Sequence, residues 1–98
     1  MVYVLLGTGF EEVEAIAPVD LMRRAGIAVL TVGVTGKTVY GGHNIGIEAD
    51  ITIDQMDLTD LEMIVLPGGL GGVASARASQ PAPFRSHSRD NRWFSCRQ

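Results

Sequence analysis

Cysteine is nearly absent from this sequence: Cys96 is the single thiol in 98 residues. An internal disulfide is therefore excluded, and a lone thiol fits a reducing cytoplasm. Long apolar runs are missing too. None approaches the roughly 20 residues of a transmembrane helix, so no membrane partner is expected, and no basic region ahead of residues 2–6 marks a signal peptide. His43, His87 and Cys96 show no metal-ligand spacing, and neither a metal nor a cofactor is assigned. Basic side chains are scarce over most of the length. Residues 1–75 carry three of them against ten acids, a balance of −7, whereas residues 76–98 carry five arginines and one acid, a balance of +4. Arginines beside Trp93 and Phe94 suit a nucleic-acid contact. The acidic body opposes one, so no nucleic-acid partner is expected.

What is present is a globular composition, 46% hydrophobic and 19% charged, enough for one small domain with a modest core. Val2 to Leu6 reads as a buried strand closed by Gly7-Thr8-Gly9. Glu11 through Ala25 reads as a helix, with Val13, Ile16, Ala17, Leu21 and Met22 near helical spacing, acids in the first turn, Arg23-Arg24 in the last and Gly26 as the stop. Pro18 inside this pattern is expected to kink or break the helix. Ala28 to Val34 is the next strand, which completes a parallel β-α-β unit. Thr38–Tyr40 and Ile45–Ala49 suit a hairpin across Gly41-Gly42-His43-Asn44. Asp50 to Leu61 reads as a connector with a helical turn. Met63–Leu66 is a third core strand, ending in Pro67-Gly68-Gly69-Leu70-Gly71-Gly72. Alternation of this kind predicts a doubly wound, mostly parallel α/β sheet. After Ser75 the periodicity decays; the division into residues 1–81, the N-terminal part of a domain, and residues 82–98, an irregular tail, is what the resemblance given below implies.

Chemistry is expected at the C-terminal edge of the strands, where open α/β sheets bind their ligands. Gly68 and Gly69 leave backbone N–H groups bare and suit an oxyanion; a plain strand-to-helix turn is the competing reading. Glu14, one turn into the helix, suits an acid, a base or a thiol partner, and equally a solvated acid favoured by the helix dipole. Glu11 and Glu12 read as solvated helix-start acids. His43 in a hairpin turn reads first as a solvated polar residue. Gly7-Thr8-Gly9-Phe10 lacks the third glycine of a dinucleotide fingerprint. Cys96 is followed by no helix to lower its pKa and reads as a tail thiol.

Two segments carry a resemblance. Phe10-Glu11-Glu12-Val13-Glu14-Ala15-Ile16-Ala17-Pro18-Val19-Asp20-Leu21-Met22-Arg23-Arg24-Ala25-Gly26 and Leu66-Pro67-Gly68-Gly69 together closely resemble the ThiJ/PfpI superfamily, the group that includes the parkinsonism-associated deglycase. The resemblance implies the N-terminal part of a flavodoxin-like sandwich, a homodimer, and no cofactor. It implies a cysteine-dependent deglycase or glyoxalase acting on methylglyoxal, a small α-oxoaldehyde, and its adducts, with redox-sensitive chaperone behaviour in some members. By resemblance Glu14 hydrogen-bonds the thiolate, Gly68 and Gly69 form the oxyanion loop, and His43 falls where a polar or basic pocket residue stands. In the family an apolar strand then runs into Cys-Ala-Gly-Pro or a close variant. Here Asn91-Arg92-Trp93-Phe94-Ser95-Cys96-Arg97-Gln98 stands instead, so the resemblance does not carry the nucleophile's role onto Cys96. A frameshift near Ala82 would account for the change of composition, and an uncovered, marginally stable Met63–Leu66 edge would follow from it. The alternative function is a non-catalytic remnant that binds, dimerises or acts as a chaperone.

Overall fold

A computed structural model describes residues 1–69 and 93–95. In chain order the elements are β1 (Val2–Leu6), α1 (Glu12–Arg24), β2 (Val29–Gly33), β3 (Thr38–Tyr40), β4 (Gly46–Glu48), β5 (Ile51–Thr52), two single 3-10 turns (Ile53–Gln55 and Leu58–Asp60), β6 (Met63–Leu66) and β7 (Trp93–Ser95). Five strands form one sheet in the order β5-β2-β1-β6-β7, and every pairing in it is parallel. The β3–β4 pair is a separate antiparallel hairpin, as its turn residues predict.

β1 is buried along its whole length, which is why its sequence runs apolar instead of alternating. Its side chains divide between two cores by the strand period of two. Val2, Val4 and Leu6 pack with Phe10, Ala15 and Val19 under α1, while Tyr3 and Leu5 pack with Val32, Ile64 and Leu66 on the other face. That second core is closed by Ile51, Ile53, Met56 and Leu61. The apolar residues between Asp50 and Leu61 thus serve as a lid over the sheet, and the two-residue strand β5 among them was not apparent from the sequence.

α1 begins where the Glu11 side chain accepts the Val13 N–H at 3.2 Å, and Gly26 follows its end with φ at +78°. That backbone region costs glycine least. The helix runs through Pro18 without a break, although proline leaves the Glu14 carbonyl without its intrahelical donor.

Part of the tail corrects the expectation of an irregular segment. Trp93–Ser95 extends the sheet beside β6, pairing Ile64 with Trp93, Val65 with Phe94 and Leu66 with Ser95. An unpaired β6 edge is a template for any extended segment, and aromatic residues suit strands. The composition of the tail, rich in Arg, Ser and Pro, concealed this. The edge of Met63–Leu66 expected to be open is accordingly covered over those three residues.

Candidate functional site

From β1 the chain passes to β2 on one side, while β6 lies on β1's other side. The order reverses there, and the crevice beyond the C-terminal ends of β1 and β6 is where such sheets place ligands. The loops facing it are Gly7-Thr8-Gly9 and Pro67-Gly68-Gly69. The Glu11 N–H donates to the Gly68 carbonyl at 2.8 Å, which ties the second loop to the start of the helix that carries Glu14. The loops also touch closely. Gly69 has φ at +98°, and a Cβ built on it would stand 2.5 Å from the Gly9 carbonyl oxygen. Glycine is required at position 69 by both backbone angle and space.

Glu14 is half-buried. Its Oε2 is fully enclosed and, among the described residues, is the buried side-chain oxygen without a hydrogen-bond partner. A carboxylate oxygen left so calls for a donor, since an unmet buried acceptor costs about 1–3 kcal/mol. This disposes of the picture of Glu14 as a merely solvated helix-start acid.

His43 is 70% exposed at its side chain but held from below. Its Nδ1 lies 2.8 Å from Glu12 Oε1, its backbone N–H donates to Glu12 Oε2 at 2.8 Å, and the Ile45 N–H reaches the same oxygen at 3.4 Å. Glu11 Oε2 stands 3.8 Å from the ring. Burial opposes ionisation of Glu12, but the hydrogen bonds from the His43 ring and from backbone N–H groups prevail and hold its pKa at about 2. The hydrogen bond to Glu12 and the negative charge of both carboxylates raise the His43 pKa.

Glu12 is the residue that sequence reading missed. Its carboxylate was assigned to solvent with Glu11, yet only 6% of the residue is exposed. The one signal was Gly41, where a Cβ would meet the Glu12 side chain at 2.4 Å. Glu11, Glu12 and His43 bring together one ligand atom each within 4.8 Å, as a cation site would. Nδ1 is committed to Glu12, however, and the helix N-terminus beside it disfavours a cation. The group is a hydrogen-bonded carboxylate–imidazole pair that becomes an ion pair when His43 is protonated, and no metal is assigned to it. Of the residues singled out from the sequence, Gly68 and Gly69 stand in the loop after β6, and Glu14 lies in the first turn of the helix whose start that loop meets through the Glu11 N–H. His43 joins the Glu12 end of that helix, and Cys96 lies outside the described residues.

A mainly apolar groove runs along α1, lined by Val13, Ile16, Ala17, Ile45 and Ile47 with Glu12 and Asp20. No helix among the described residues is long and apolar enough to cross a membrane.

Comparison with known proteins adds four findings. The model of the DJ-1/PfpI family matches residues 1–92. The Parkinson disease protein 7 homolog of Danio rerio is 40% identical over 78 residues, covering 78% of this chain and 41% of the relative. A deglycase of Thermococcus kodakarensis is 29% identical over 68 residues, covering 69% of this chain and 41% of the relative. Among solved structures, a cysteine-to-alanine mutant of a DJ-1 superfamily protein from Salmonella typhimurium is 39% identical with a TM-score of 0.74, covering 80% of this chain and 43% of that one. The chain spans less than half the length of these relatives.

Proposed function

We propose, from the premise that this chain belongs to the DJ-1/PfpI family, that its crevice serves cysteine-dependent chemistry on a small α-oxoaldehyde such as methylglyoxal, or on its adducts. The observation that carries this reading is the buried, partnerless Oε2 of Glu14. A similar chain named as a deglycase supports it. In this scheme the thiolate of Cys96 adds to the aldehyde carbon and forms a C–S bond. The carbonyl π pair moves to oxygen, the Gly68 and Gly69 N–H groups hold that oxygen, and Glu14 carries the thiol's proton to it. Cys96 is given the thiol's role because it follows β7 in the sequence, and β7 brings Ser95 level with Leu66, next to Pro67. The chemistry needs no cofactor, and the setting is the cytoplasm.

The test is lactate formation from methylglyoxal by the full chain. Glu14→Gln and Cys96→Ser should each lower turnover by at least about 10²-fold, the scale of a lost acid or nucleophile. Equal turnover in wild type and Cys96→Ser contradicts the reading.

A second reading, a non-catalytic module that binds a second copy of itself, draws on a different observation. Val13 and Leu21 on α1 are 70% and 65% exposed, and Ile45 on the hairpin is 52% exposed. Apolar residues grouped in this way favour association. The two readings are compatible in one homodimer. They part if association persists without thiol-dependent turnover.

A further inference from the structure

Glu12 has no part in the chemistry above, yet it is buried more deeply than Glu11 and Glu14, the other acids at the helix start. Its carboxylate sits under the 41–45 turn, in space that only a glycine at position 41 leaves open. Bonds to His43 and Ile45 reach 31 and 33 residues along the chain. The same hairpin grips the segment before α1, since Gly9 N–H donates to the Tyr40 carbonyl at 2.9 Å and Gly42 N–H donates to the Phe10 carbonyl at 2.8 Å. The other side of that short segment faces the Pro67-Gly68-Gly69 loop. Glu11 N–H donates to the Gly68 carbonyl, and Gly69 lies so near that a Cβ on it would stand 2.5 Å from the Gly9 carbonyl oxygen. Residues 9–11 are therefore a shared wall, with the hairpin bonded to one side and the glycine loop to the other.

We infer that Glu12 is a positioning residue for the Gly68–Gly69 loop: by clamping the 41–45 turn, it fixes the Gly9–Glu11 wall against which that loop is seated. This rests on the reading of Gly68 and Gly69 as the oxyanion loop. The coupling runs through backbone hydrogen bonds, so loss of the clamp reaches Gly68 without any change in the residues that touch it. The His43 ring is the titratable part of the clamp, and the charged groups paired with it among the described residues are Glu11 and Glu12.

Amide hydrogen exchange and amide chemical shifts of the full chain test this. In Glu12→Gln the Glu11 amide, whose acceptor is Gly68, should exchange about tenfold faster or more, as expected for weakening of a charge-assisted anchor. The β1–β2 ladder should keep its wild-type rates. In the wild type, the Gly68 and Gly69 amide shifts should titrate with the His43 midpoint, a signature that a purely structural contact does not produce, and Glu12→Gln should abolish it. Faster exchange confined to His43 and Ile45, with Glu11 at its wild-type rate, overturns the proposal. If Glu12→Gln does not fold, His43→Gln, which keeps the backbone bond to Glu12 and removes the ring, decides: faster Glu11 exchange supports the clamp, and no change overturns it. Neither readout needs turnover. An inactive chain with the predicted exchange pattern would therefore sink the proposed chemistry and leave the clamp standing.

Discussion

A carboxylate and an imidazole beside the head of one helix contribute to the pH response of this fold in opposite senses. Glu12 has its pKa lowered from 4.5 to about 2, so its contribution is present above 4.5 and lost as pH falls through about 2. His43 has its pKa raised from 6.5, so the stability of its charged form is full below 6.5 and lost as pH rises through the raised value. Together the ion pair is complete from about pH 4.5 to pH 6.5. Urea unfolding across pH should show a maximum in that window, and His43→Gln should remove the fall on the alkaline side. Little of this was visible in the sequence. Three acids within four residues look alike to a dipole argument. Only the turn folding back over residue 12 separates buried Glu12 from its neighbours, and that contact lies about thirty residues away. Glu14, Gly68 and Gly69 stand out in the sequence for a local reason, a helix start and a strand end that mark the C-terminal edge of a parallel sheet.

At the scale of elements, Asp50, which follows the hairpin, joins α1 to β2. Its Oδ2 accepts from Arg23 Nη2 at 2.6 Å, from the Thr31 N–H at 2.9 Å and from Thr31 Oγ1 at 3.0 Å. Burial raises the Asp50 pKa, but the Thr31 and Arg23 contacts outweigh it and set the net shift downward. Thr31 is itself buried. Asp50→Ala should therefore strand the Thr31 N–H and cost about 1–3 kcal/mol, read as a lower urea midpoint with an unchanged slope. The strands with clear apolar runs, β1, β2 and β6, were legible from composition alone, as was the hairpin from its glycine-rich turn. β5 was not, because two residues carry no period. β7 was not either, because three residues in an Arg-, Ser- and Pro-rich tail carry no period, and their pairing with the β6 edge is a contact distant in sequence.

For the whole molecule, the exposed apolar side chains of α1 stand at positions 13, 16, 17 and 21, one stripe at helical spacing. A stripe that no core covers is the face on which the proposed homodimer rests. Val13→Gln combined with Leu21→Gln should weaken association at least about tenfold. Stability of the monomer should change little, within roughly 0.5 kcal/mol for surface sites. Sedimentation velocity over a range of concentrations checks both the dimer and its loss.

The central claim is that Cys96 and Glu14 belong to one site, and the rate of Cys96 alkylation by iodoacetamide across pH tests it most directly. An apparent thiol pKa well displaced from the ordinary value of about 8.5, and moved again by Glu14→Gln, is the predicted result. A thiol that titrates near the ordinary value and is indifferent to Glu14→Gln would contradict the account.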